Sequence, residues 1–194
     1  MTKKKRFHSI GIIAEDRSDV DSTRVLINKI TCNNRIGIKS FVGKGCGKLK
    51  KKCSAWAGQL KERGCDKLIL IHDLDRNDIV DLRIKIDMAI YPCPINKYLI
   101  CIPVQELEAW LLSDPDGIKD AMKLRKAPKV KGLPENIDSP KEYLGKIIHI
   151  YSDGEIIYIN TKHNQKIAHA LSIDKAKRCP SFIPFHDFVQ LHCK

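Results

Sequence analysis

The chain has 194 residues, 35 Lys+Arg against 23 Asp+Glu, and a formal net charge of +12. That length suffices for one domain with a self-supporting core, so staples are not needed, and the charge excess favours a polyanionic partner, nucleic acid before a membrane surface. None of the eight cysteines forms a Cys-x-x-Cys pair, which argues against a zinc knuckle, and neither Met1 to Arg6 nor Phe7 to Ile13 reads as a signal peptide or membrane segment. The expected setting is cytoplasmic, with reduced thiols and no membrane association.

Phe7 to Ala14 predicts a first strand, ending in Glu15-Asp16-Arg17-Ser18-Asp19. A helical pattern follows through Val20, Thr23, Leu26, Ile27 and Ile30, with Ser18 or Asp19 as the expected N-cap. Glu15 therefore falls at a strand-to-helix turn, whereas Asp16 and Asp19 suit a helix N-terminus for dipole reasons. Ile36 to Val42 predicts a second strand, which runs into Gly43-Lys44-Gly45-Cys46-Gly47-Lys48 and then Leu49-Lys50-Lys51-Lys52. This is no P-loop, because the closing Gly-Lys-Ser/Thr is missing. Exposed backbone N–H groups beside lysines still suit phosphate, so Lys44, Lys48, Lys50, Lys51 and Lys52 are candidate nucleic-acid contacts; a solvated helix face is the alternative. Leu49, Cys53, Trp56, Ala57 and Leu60 recur at helical spacing, with Trp56 expected in the core.

Leu68-Ile69-Leu70-Ile71 is an unbroken apolar run, the pattern of a strand buried on both faces in a parallel sheet. It runs into His72-Asp73-Leu74-Asp75. Asp73 and Asp75, two apart on extended backbone, would point the same way, and a divalent cation is the usual reason to keep such a pair ionised. The competing explanation is that Asp75 or Asn77 caps the next helix, Ile79 to Met88. His72 is expected to face away from Asp73. After the break at Tyr91-Pro92-Cys93-Pro94, Tyr98 to Val104 predicts a fourth strand ending in Gln105-Glu106-Leu107-Glu108. Three of the four strands thus end in acids, at the edge where open α/β sheets bind ligands. The alternation of strand and helix predicts an α/β fold, a parallel sheet of about four strands flanked by helices.

Beyond that the texture changes. Lys123 to Ser139 predicts a basic irregular loop, carrying Arg125, Lys126, Lys129 and Lys131. Ser139-Pro140-Lys141-Glu142 has the form of a capping box for a helix to about Tyr151. A further helix is expected over 164–171 with Lys166 and His169 near its apolar face, then an aromatic-containing segment from Ser181. The expected organisation is an α/β core over 1–122 and a mostly helical extension over 123–194 packed on it.

The Glu at the end of strand one, the Asp-x-Asp at the end of strand three and the alternating elements resemble the Toprim domain. More narrowly, Gly11-Ile-Ile-Ala-Glu15-Asp-Arg-Ser-Asp19, His72-Asp73-Leu-Asp75 and Val104-Gln-Glu106-Leu-Glu108-Ala-Trp110-Leu-Leu-Ser-Asp114 are similar to a small Toprim-like prokaryotic family. The tail Cys179-Pro-Ser181-Phe182 with an upstream lysine is similar too. The resemblance implies a Rossmann-like fold and a Mg²⁺- or Mn²⁺-dependent nuclease acting on DNA or RNA, in presumed phage-defence loci and with a separate ATPase partner. On that basis Asp73 and Asp75, with Glu15, Glu106 and Glu108, are the implied metal ligands. Glu15 is alternatively a general base, and Lys166 or the lysines from Lys44 to Lys52 are the implied neutralisers of transition-state charge. The chain departs from the Toprim pattern in having Glu15-Asp16 where Glu-Gly is typical. A Toprim-type ribonuclease that processes structured RNA, and a non-catalytic nucleic-acid-binding or regulatory subunit, are the alternatives.

Overall fold

The computed structural model describes residues 9–43 and 46–193, with the side chains of Cys46 and Lys48 outside that description. Four strands, β1 (Ser9–Ala14), β2 (Gly37–Val42), β3 (Cys65–Ile71) and β4 (Lys97–Cys101), form one parallel sheet in the order β2-β1-β3-β4. The expected α/β architecture is what is found. Leu68 to Ile71 are at most 1% exposed, as an unbroken apolar run in a strand covered on both faces requires.

Side chains leave β1 and β3 on alternate faces, and each face has its own core. Ile13, Leu68 and Leu70 pack with Leu49, Cys53 and Leu60 of α2 (Cys46–Glu62) and Leu82, Ile86 and Ile90 of α3 (Ile79–Ile90). Gly11 lets α2 come close, because a Cβ there would stand 2.8 Å from Leu60 Cδ1. Trp56 is core, stacked on Phe41 with ring centroids 5.4 Å apart. On the other face Ile10, Ile12, Ile69 and Ile71 pack with Leu26 and Ile27 of α1 (Arg17–Thr31). The same cluster takes in Trp110 of α4 (Glu108–Leu112), Ile118 of α5 (Pro115–Met122) and Leu144 of α6 (Pro140–Tyr151). It continues through Ile167 of α7 (Asn160–Ala170), Ala176 of α8 (Ile173–Ala176) and Phe185 of α9 (Phe182–His192). The helical C-terminal part therefore shares one core with the sheet, α7 packing on α1 and α5, and α9 on α1 and β4.

Three capping expectations change. Asp16, not Ser18 or Asp19, is the N-cap of α1; it closes a capping box with Asp19 at the third helical position. Helix α3 is capped by Asp78, whose Oδ1 accepts from Val80 N and Asp81 N, which leaves neither Asp75 nor Asn77 with that duty. Ser139 makes no side-chain cap at α6. Instead Glu106 reaches across from the β4 exit, and its Oε2 accepts from Lys141 N at 2.7 Å. A carboxylate from elsewhere in the chain satisfies the free N–H and the positive helix end together. The expected basic loop is irregular except for a 3-10 turn at Pro134–Asn136.

Ser181 ties the C-terminal layer to the β4 exit. Its Oγ accepts from Trp110 Nε1 at 2.8 Å and from Val104 N at 3.3 Å, and donates to Glu135. Trp110 is fully buried against Phe182 and Phe185. Ser181→Ala leaves a buried indole N–H without a partner, which costs about 1–3 kcal/mol. Urea unfolding should report that loss; unchanged stability would show that the hydroxyl carries no such load.

Candidate metal centre

Strand order fixes where the site lies. Helix α1 leaves β1 to one face of the sheet and α3 leaves the adjacent β3 to the other, so a crevice opens between their carboxyl ends. Glu15 follows β1 directly and Asp73 lies two residues past β3. The loops after β3 and β4 then stay zipped together: His72 N bonds Cys101 O, Leu74 N bonds Pro103 O and Asp75 N bonds Gln105 O, at 2.9–3.1 Å. Asp75 and Gln105 take left-handed backbone conformations, with φ of 50° and 59°. The extended geometry expected from Asp73 to Asp75 is therefore not what aligns them; a turn is. Such backbone costs a non-glycine residue about 1–2 kcal/mol, and Asp tolerates it better than most.

The crevice is a cleft of about 490 Å³. Glu15, Asp73, Asp75, Glu106 and Glu108, the five expected ligands, all line it. Asp16 and Asp19 add two more carboxylates, against the cations of Arg17 and Lys141. Several of the acids are held from behind. Asp73 Oδ1 accepts from Leu107 N at 3.0 Å. Glu108 is 3% exposed; its Oε1 accepts from Asn164 Nδ2 at 2.9 Å and from Tyr158 OH at 3.3 Å. Asn160 Nδ2 reaches Asp16 Oδ2 at 3.2 Å. By contrast, the Asp75 carboxylate makes no hydrogen bond to any described residue.

His72 stands behind Glu15. It is 1% exposed, and its Nδ1 lies 2.8 Å from Glu15 Oε1 and 2.7 Å from the main-chain oxygen of Asp73. Both neighbours are acceptors, so Nδ1 carries the proton. The bond is directed at the Asp73 oxygen, which leaves Glu15 Oε1 and His72 Nε2 buried without a directed partner among the described residues.

Crowding raises the affinity of these carboxyls for protons. Burial first, then the charges of Asp19, Glu108, Glu15 and Asp75, lift Asp73 well above the carboxylate range. Burial and Glu108 lift Asp19 from 3.8 to about 7. Asp75 rises through burial and Glu15, opposed by His72 and by the Lys50 ammonium. Glu106 rises through burial, opposed by its bond from Lys141 N. Among the described residues no three His, Cys, Asp or Glu side chains are already closed around one point.

Among the described lysines of the cluster, Lys50 is the one whose charge acts on the acids. Lys51 and Lys52 are exposed on α2, and Lys44 and the side chain of Lys48 lie outside the described residues. Lys166 is not at the cleft. It and His169 are exposed on α7, whose buried face is Asn164, Ile167 and Ala168, so the expectation that they flank the apolar face is corrected. Among the described residues, the cations that line the cleft are Arg17 and Lys141. Sequence reasoning also missed His72, Tyr158 and Asn164, whose roles depend on which strands and helices become neighbours.

Between 3.8 and about 7 the folded chain holds on Asp19 a proton that the unfolded chain has released, so raising the pH through that window favours unfolding. In metal-free buffer, urea-unfolding stability should fall as pH rises from about 4 to about 7. Asp19→Asn should flatten that fall, and an identical profile in the variant would remove Asp19 from the account.

No curated protein sequence and no solved structure matches the chain. A family described as a domain of unknown function, DUF4276, matches residues 24–190, a span that carries Asp73, Asp75, Glu106 and Glu108 but begins after Glu15. The chain belongs to the DUF4276 family.

Proposed function

We propose that this protein is a divalent-cation-dependent nuclease that hydrolyses phosphodiester bonds in DNA or RNA. The observation that carries the reading is the gathering of five carboxylates from three strand ends in one cleft at the switch point of a parallel sheet. The donors fit Mg²⁺ or Mn²⁺: all are hard carboxylate oxygens lining the cleft, and the Asp75 carboxylate makes no hydrogen bond to a described residue. Glu15, Asp73 and Asp75, with Glu106 and Glu108, would hold the ion or ions, which in such sites activate a water and stabilise the leaving oxygen.

The chain's own groups do the rest. His72 Nδ1 stands behind Glu15, 2.8 Å from its Oε1. Asn164 and Tyr158 hold the Glu108 carboxylate at the wall. Among the described residues, Lys50, Arg17 and Lys141 are cations available to phosphate oxygens at the cleft and its rim. The Toprim resemblance supports the same reading, and on its strength alone the proposal extends to a cytoplasmic prokaryotic defence system with a separate ATPase partner. No helix among the described residues is long and apolar enough to cross a membrane. A second reading, a nucleic-acid-binding or regulatory subunit, draws on the structural duties of Asp16, Asp19 and Glu106 as caps.

A cation that binds only the folded chain adds about 2.7 kcal/mol at a hundredfold excess over Kd. Millimolar Mg²⁺ or Mn²⁺ should therefore raise the unfolding temperature of the native protein but not of Asp73→Asn/Asp75→Asn. The same variant should lose divalent-dependent nicking of plasmid DNA or cleavage of structured RNA. A metal shift without any cleavage favours the subunit reading; no shift removes the metal site.

Each phosphate contact contributes about 0.9 to the slope of log K against log salt on duplex DNA, or about 0.7 on a single strand. Replacing Lys50, Lys51 and Lys52 with Gln should flatten that slope, measured in Ca²⁺ to suppress cleavage. Equal slopes would show that this part of α2 lies off the nucleic-acid path.

A further inference from the structure

The basic loop ahead of α6 is an ordered strap. From Lys123 to Lys131 it carries five cations and no acid. Its residues alternate in duty: Leu124, Pro128 and Val130 turn inward, while Lys123, Arg125, Lys126, Lys129 and Lys131 are exposed. Two tyrosines of α6 pin the backbone between them. Lys129 N–H donates to Tyr151 Oη at 3.0 Å, and Tyr143 Oη donates to the main-chain oxygen of Lys129 at 3.4 Å. Lys131 N reaches Tyr143 Oη as well, at 3.5 Å. The strap therefore runs back along α6, from Tyr151 at its end to Tyr143 in its first turn. A backbone ordered beforehand presents its row of cations at less entropic cost when a ligand binds. Little of that charge is neutralised by the protein itself. Arg125 meets Asp153 at 3.5 Å, with both side chains well exposed, so the pair is worth little. Lys123, Lys126, Lys129 and Lys131 make no ion pair with a described residue.

Beside the strap lies a cavity of about 380 Å³, lined by Arg125, Lys126, Ile150, Tyr151 and Asp153. It joins two cations to an aromatic ring and to Ile150, which is 56% exposed. Lys126 Nζ stands 5.5 Å from the centre of the Tyr151 ring. An aromatic face flanked by cations suits an unpaired base and its phosphates, and a base held within a duplex cannot reach it. The other end of α6 is at the carboxylate cleft, where Lys141 forms part of the wall and its N–H bonds Glu106. From Lys141 to Tyr151 the helix rises about 15 Å, at about 1.5 Å per residue. Helix α2, with Lys50, covers the opposite face of the sheet, so a strand crossing the cleft meets cations on both sides.

We propose that the strap over 123–131 and the Tyr151 cavity bind single-stranded nucleic acid, DNA or RNA, and lead it to the cleft. Phosphates lie along Lys126, Lys129 and Lys131, and a base stacks on Tyr151 against Ile150. What happens to the strand at the cleft rests on the nuclease reading; the binding does not.

The test is binding of the full chain to fluorescent oligo(dT), oligo(U) and a duplex of equal length, in Ca²⁺ to suppress cleavage. The native chain should bind at least one of the single strands about tenfold more tightly than the duplex, and the tighter of the two identifies the sugar. Lys126→Gln/Lys129→Gln/Lys131→Gln should weaken single-strand binding about tenfold or more and lower the slope of log K against log salt by about 2, at about 0.7 per contact. Tyr151→Leu should weaken it about fivefold or more and leave duplex binding unchanged, whereas Tyr151→Phe should bind as the native chain does. Both variants lose the hydroxyl that pins Lys129, so the difference between them reports stacking alone. An abasic strand should bind the native chain about fivefold or more weakly than oligo(dT), a comparison that needs no variant. Equal salt slopes, or duplex binding as tight as single-strand binding, overturn the proposal. So does a Tyr151→Phe protein weakened as much as Tyr151→Leu, or an abasic strand that binds like oligo(dT). Strand binding that follows these variants in a protein that never cleaves keeps the strap as assigned and removes the nuclease reading instead.

Discussion

The repulsion among carboxylates at the junction of β1 and β3 is the constraint to which the surrounding structure answers. Strand order sends α1 and α3 to opposite faces, and the crevice between them receives Glu15, Asp73 and Asp75, joined by Glu106 and Glu108 from the β4 exit. Burial removes the water that would screen these charges, so proton affinity rises at Asp19, Asp73, Asp75 and Glu106. A cleft built this way is held at neutral pH by protons, by nearby cations or by a bound metal ion. Lys50 and Lys141 supply part of the cationic answer, Lys50 through its charge near Asp75 and Lys141 through its charge near Glu106, to which it also gives a main-chain N–H bond.

The acids divide by what else they do. Asp16 and Asp19 close the first turn of α1, and Glu106 gives one oxygen to the first turn of α6, so local helix chemistry accounts for part of their presence. Asp75 caps nothing, sits on left-handed backbone and makes no side-chain hydrogen bond to a described residue. Glu15 is backed by a buried histidine whose proton is directed elsewhere. Residues kept in such positions without a structural return are the ones a ligand explains most economically.

Much of the fold was legible because the signals were local. Leu68 to Ile71 suited a doubly covered strand, and Leu49, Cys53, Trp56, Ala57 and Leu60 recurred at the spacing of one helix face; all nine are buried. The five acids were legible for the same reason, each lying at the end of an apolar run. What escaped was tertiary. His72 was expected to face away from Asp73; its ring bonds the Asp73 main-chain oxygen, and nothing local says that β1 lies alongside and presents Glu15 there. Glu106 displaced Ser139 as the cap of α6 because a carboxylate arriving from another strand end answers the helix dipole better than a serine hydroxyl. Lys166 was misplaced because the buried stripe of α7 is set by Asn164, Ile167 and Ala168, one of which reaches back to Glu108.

The central claim is that the proton-loaded carboxylates form a cation site. Calorimetric titration of Mn²⁺ near pH 6.5, repeated in two buffers of different ionisation enthalpy, measures binding and proton release together. The account predicts saturable binding in which the metal displaces protons from Asp19 and Asp73, so the apparent enthalpy differs between the buffers. Binding with no buffer dependence, or no binding in the native protein, would contradict it.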